Sequence, residues 1–130
     1  MSTPLKSLFD LTGRTALVTG GSRGLGLTLC EALGEYGAEI IITARKQDEL
    51  DAAVAHLRSL GITASAVRGD IGKPETPEAV IEEIAAQGKR VDILVNNAGS
   101  SWGSSTEDMP LDGWNKLIAL NLTAPFLLAQ

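Results

Sequence analysis

Four short runs rich in branched apolar residues, each followed by a longer amphipathic stretch, constrain this sequence most. Thr15 to Thr19, Ile40 to Thr43, Thr63 to Val67 and Val91 to Val95 read as strands. Leu25, Leu29 and Leu33 recur as on one helix face, with Gly37 placed to stop it. Leu50, Val54, Leu57 and Leu60 give a second stripe, ended by Gly61. Pro74 and Pro77 suit the first turn of a third helix carrying Val80, Ile81 and Ile84. A Ser/Gly-rich loop from Ser100 to Pro110 leads to a fourth helix, Asp112 to about Gln130. The order is βαβαβαβα. Helices between consecutive strands force parallel pairing with right-handed crossovers. The fold class expected is α/β, a doubly wound parallel sheet with helices on both faces, in one unit over residues 1–130.

Composition narrows the partners. Net charge is −5, which argues against a nucleic-acid backbone or an anionic membrane as main partner, though not against one local phosphate site. Cys30 is the sole cysteine, which precludes an internal disulfide and disfavours a zinc site; no metal is expected. No apolar run reaches membrane-spanning length, and MSTPLKSLFDLTGR lacks the pattern of a signal peptide. A soluble protein of a reducing, cytoplasmic compartment is the expectation.

The segment TGGSRGLG, residues 19–26, lies between the first strand and the first helix. A helix N-terminus there offers free N–H groups and partial positive charge to a phosphate, and glycines let the ligand approach the backbone. A nucleoside-triphosphate loop would need a lysine where Leu27 stands, and the strict G-x-G-x-x-G spacing also fails. The pattern that fits is T-G-x-x-x-G-x-G, with Thr19, Gly20, Gly24 and Gly26.

That spacing resembles the short-chain dehydrogenase/reductase family. Asn96-Asn97-Ala98-Gly99 after the fourth strand matches the family's NNAG, Asp70 follows the third strand, and Asn121 sits in L-N-L on the fourth helix. The resemblance covers essentially the whole chain, which resembles bacterial members that reduce 3-oxoacyl thioesters or keto-sugar acids such as gluconate derivatives. It implies a Rossmann-like sheet. Gly20, Ser22, Arg23 and Leu25 would wrap the cofactor phosphates, with Thr19, Gly24 and Gly26 of the same turn also cofactor-binding. Asp70 and Ile71 would hold the adenine side, and Asn97, Ala98 and Gly99 would floor the ribose and nicotinamide. Without the family, Asp70 reads equally as a turn former before Gly72.

The second strand runs into Ala44-Arg45-Lys46, where NAD-binding folds usually carry an acid for the ribose 2′-OH. Arg45, with Arg23 in the glycine turn, favours a 2′-phosphate, hence NADPH over NADH.

Pro125 has no N–H to donate to the carbonyl four residues earlier, that of Asn121. In a regular helix this leaves that carbonyl free and kinks the helix. A freed carbonyl needs another donor, often a water. The resemblance assigns Asn121 to the active site, its main chain holding a water that feeds a proton relay.

The family's acid–base chemistry uses a Ser and a Tyr with a Lys four positions later. The single tyrosine, Tyr36, has Ile40 in that place and cannot serve. The family's segment follows the helix at which this sequence stops. The expectation is therefore the cofactor-binding half of a reductase, truncated relative to the family and without ordinary turnover alone. It would be part of a longer protein or completed by a second chain. A small-molecule carbonyl or alcohol substrate and homo-oligomeric assembly of the full-length protein are also implied. The alternative is a non-catalytic nucleotide-binding regulatory or interaction module. His56 reads as solvated, Cys30 and Trp114 as packed, and Trp102 as either packed or at the substrate mouth.

Overall fold

Branched side chains in strands need a sheet buried on both faces, and the chain builds one. The structure is a computed structural model that describes residues 4–130; residues 1–3 of the expected unit lie outside the described residues. The elements are α1 (Leu5–Leu8), β1 (Thr15–Thr19), α2 (Gly24–Glu35), β2 (Glu39–Ala44), α3 (Gln47–Ser59), β3 (Ala64–Arg68), α4 (Thr76–Ala86), β4 (Ile93–Val95) and α5 (Leu111–Ile118). A π-helical turn (Ala119–Thr123) then joins α5 to α6 (Ala124–Ala129).

The strands form one parallel sheet in the order β3-β2-β1-β4, with Leu17 beside both Ile41 and Leu94. Successive strand side chains point to opposite faces. Ala16, Val18, Ile40 and Ile42 meet Cys30 of α2 and Leu50, Ala53 and Leu57 of α3. Leu17, Ile41 and Val67 meet Val80 and Ile84 of α4 and Ala124 and Leu128 of α6. Two apolar layers on one sheet are what a doubly wound fold requires, and this is a Rossmann-like one.

Three of the elements depart from the sequence expectation in ways that have a physical cause. The fourth strand is three residues long and begins at Ile93. The Thr15 amide, which would extend the ladder toward residue 90, instead donates to the Asp92 carboxylate at 3.0 Å. Helix α4 starts at Thr76, so Pro77 alone lies in its first turn. Pro74 sits in the preceding turn, closed by Thr76 N–H donating to the Lys73 carbonyl at 3.0 Å. The fourth helix is not regular: the Ala124 amide donates to the Ala119 carbonyl, five residues back. That π register absorbs the proline without a break, since it shifts the hydrogen-bond pattern just before the missing N–H of Pro125.

Trp114, expected to pack, is 54% exposed. His56 is not merely solvated; its Nε2 is 2.7 Å from Glu31 Oε1 and links α3 to α2. Cys30 is fully buried, and burial pushes its thiol up to about 12. Tyr36 caps α2 at the opposite end of the sheet from the carboxyl ends of the strands, its ring 6.5 Å from that of Phe9.

Candidate cofactor site

In parallel sheets, ligands bind outside the carboxyl ends of the strands, where the loops diverge. A cleft of about 430 Å³ opens there, between the turn after β1, the end of β2, the turn after β3 and the segment after β4. Of the residues singled out from the sequence, Gly20, Ser22, Arg23, Gly24, Leu25 and Gly26 line one wall. Arg45, Asp70 and Ile71 line another, with Asn97, Ala98 and Gly99 below.

The glycine turn is tightly determined. Gly20 has φ +65°, a left-handed conformation costly for other residues. A Cβ at Gly26 would overlap the Gly20 carbonyl oxygen and come within 2.6 Å of Asn97 Nδ2. The turn therefore folds back on itself with backbone facing the cleft, at the N-terminus of a 12-residue helix. The Asn97 side-chain amide donates to the Thr19 and Gly20 carbonyls at 3.0 and 3.3 Å, tying the segment after β4 to the turn after β1.

Thr19 does not line the cleft. It is 1% exposed, and its hydroxyl oxygen accepts from the amides of Ala98 and Asn97 at 2.9 and 3.1 Å. Burial beneath the turn makes it a structural clamp rather than the ligand contact expected from the motif. Asn121 also lies outside the lining. Its side chain spans Ser100, Oδ1 accepting from the Ser100 amide at 3.0 Å and Nδ2 donating to the Ser100 carbonyl at 2.8 Å. These two bonds tie Asn121 to the loop after β4 and hold that loop in place. Asp70 faces the cleft and also forms the local turn, Oδ1 accepting from the Gly72 amide at 3.2 Å. Trp102 packs against Gly113 on α5 with Lys116 Nζ 5.7 Å from its ring centroid, and is not part of the cleft wall.

The structure adds residues that the motifs did not mark: Thr43, Lys46, Glu49, Ser100 and Leu120 also line the cleft. Thr43 Oγ1 is, among the described residues, the buried side-chain polar atom with no hydrogen-bond partner. Leaving such a group unpaired costs about 1–3 kcal/mol, so a polar ligand at this wall is rewarded. Glu49 Oε1 accepts from Lys46 Nζ at 3.0 Å, and the Lys46 ammonium holds the Glu49 carboxyl below the usual carboxylate range. The Lys46–Glu49 spacing of three along the chain was the available signal. The Arg68 guanidinium donates to the Arg45 carbonyl at 2.9 Å and fixes the backbone at the end of β2.

Residues 14–130 match the family described as short chain dehydrogenase. The chain belongs to the short-chain dehydrogenase/reductase family. It is 38% identical over 122 residues to the rhamnolipids biosynthesis 3-oxoacyl-[acyl-carrier-protein] reductase of Pseudomonas aeruginosa, over 94% of this chain and 47% of that protein. It is 38% identical over 126 residues to gluconate 5-dehydrogenase of Gluconobacter oxydans, over 95% of this chain and 48% of that protein. A solved 3-oxoacyl (acyl-carrier-protein) reductase from Agrobacterium tumefaciens with NADP bound superposes with a TM-score of 0.91 at 32% identity, covering 100% of this chain and 50% of that one. The chain thus spans about half the length of the relatives it matches. Among the described residues no helix is long and apolar enough to cross a membrane, and no cluster of His, Cys, Asp and Glu could hold a metal ion.

Proposed function

We propose that residues 1–130 form the dinucleotide-binding segment of an NADP(H)-dependent oxidoreductase that moves hydride between the nicotinamide and a ketone or secondary alcohol. The observation that carries this reading is the charge on the cleft wall. Arg23, Arg45 and Lys46 converge there, and Ala44 stands where a carboxylate would receive a ribose 2′-OH. The cofactor would supply the hydride chemistry. The chain's own residues would seat it: Gly20, Ser22, Gly24, Leu25 and Gly26 at the phosphates, Asp70 and Ile71 at the adenine, and Asn97, Ala98 and Gly99 under the nicotinamide end. The orphan Thr43 hydroxyl and the backbone-lined glycine turn both fit such a group. The names of the relatives favour a 3-oxoacyl thioester or a keto-sugar acid as the substrate class.

The test is cofactor affinity in the intact protein, read by quenching of tryptophan fluorescence. The wild type binds NADPH more tightly than NADH, and Arg45→Ala weakens NADPH by about tenfold while NADH changes less than twofold. Equal loss for both cofactors would remove the 2′-phosphate assignment.

Asn121 is proposed to act through its main chain. Its carbonyl has no partner at Pro125, and the π turn re-aims the helix at that point. Supplying an N–H with Pro125→Ala favours the regular helix. In a longer protein that supplies the Ser and Tyr-x-x-x-Lys segment, the expected result is about a tenfold drop in turnover with NADPH affinity unchanged. Full turnover in that variant would leave the proline a packing residue only.

A further inference from the structure

Glu49 belongs to none of the family motifs, yet it reaches across the mouth of the cleft. It projects from the first turn of α3 and touches both sides of the gap between the glycine turn and the end of β2. Its Oε1 is 3.0 Å from Lys46 Nζ, and its Oε2 is 3.5 Å from the Ser22 hydroxyl. Arg45 lines the same wall, and Arg23 lies close enough to favour the ionised carboxylate. Of the two acids that line the cleft, Glu49 and Asp70, Glu49 is therefore the one bonded to Lys46 and close to Arg23.

We infer that Glu49 sets the cofactor discrimination of this cleft by competing with the 2′-phosphate of NADP(H) for Lys46. This rests on the cofactor site proposed above. In the free protein the carboxylate already holds the ammonium. A phosphate carrying about two negative charges, with a second pKa near 6, must displace it or bind beside it. NAD(H) brings a neutral hydroxyl to the same place and disturbs nothing. The pair thus weakens NADP(H) binding and leaves NAD(H) binding intact. The sequence signal of Arg45 and Arg23 alone overstates the preference for a phosphorylated cofactor. The contact is ionic and exposed in part, Lys46 being 61% and Glu49 28% exposed at the side chain, so its effect is modest and salt-sensitive.

The experiment is a set of calorimetric titrations of NADPH and NADH into the intact wild type, Glu49→Gln, Lys46→Met and the double variant. Glu49→Gln should tighten NADPH by about fivefold and leave NADH within twofold. In the Lys46→Met background the same substitution should change NADPH by less than twofold, because the contested ammonium is gone. The inference is overturned if Glu49→Gln leaves NADPH affinity unchanged, if both cofactors tighten alike, or if the gain persists undiminished without Lys46. The parent reading fails separately: a wild type that binds NADH more tightly, with Arg45→Ala having no selective effect, removes the NADP(H) preference whatever Glu49→Gln does.

Discussion

A Gly26→Ala protein should bind NADPH at least about 100-fold more weakly and lose about 3 kcal/mol of stability. The added Cβ meets the Gly20 carbonyl, which is backbone of the turn itself, and the Asn97 side-chain amide, which is held in place by its bonds to the Thr19 and Gly20 carbonyls. To relieve the overlap, the turn must open or α2 must slide. Either movement re-aims the amides at the start of the helix away from a phosphate. Urea unfolding and NADPH titration check the two halves of this expectation. A variant within 0.5 kcal/mol and threefold of wild type would mean that the turn has slack that its contacts do not suggest.

Thr19→Val should lower unfolding free energy by about 2 kcal/mol while keeping almost the same shape. One buried hydroxyl accepts from two amides, those of Asn97 and Ala98. Valine deletes the acceptor and leaves the Ala98 amide without its partner, at about 1–3 kcal/mol, while the Asn97 amide keeps the Val95 carbonyl at 3.0 Å. The loss should extend to the cofactor, because those amides hold the segment after β4 against the turn after β1. Denaturant midpoints and NADPH affinity should therefore fall together. Loss of stability without loss of affinity would restrict Thr19 to the sheet; no loss at all would show that water replaces the hydroxyl.

Thr19 also shows why the candidate site was only partly legible. The motif marks the position, and the residue matters, but its role differs from the one the motif suggests. Its partners lie 78 and 79 positions away and become neighbours only when β1 pairs with β4. Asn121 has the same history, since its side-chain partner, Ser100, is brought in by the loop before α5. Glu49 and Thr43 carry no sequence signal strong enough to nominate them, because lining a cleft is a property of the packed elements and not of local spacing.

The helix around Asn121 marks the boundary from the other side. A proline four residues after an asparagine dictates, from covalent chemistry alone, that one helical hydrogen bond is missing. Whether the helix kinks or takes up a π turn depends on how α6 seats Ala124 and Leu128 against α4 and the sheet.

What the sequence determined by itself is local and periodic: four strands, the helices between them, their parallel sense, and a glycine turn with a basic residue beside it. Those follow from side-chain alternation, helix stripes and the steric limits of single residues. The tertiary structure decided the strand order, the short fourth strand, the burial of Thr19, the π turn and the meeting of Lys46 with Glu49 in front of the cleft. Each of these depends on the distance between residues far apart in the chain or on competition for one donor, and packing alone sets such distances.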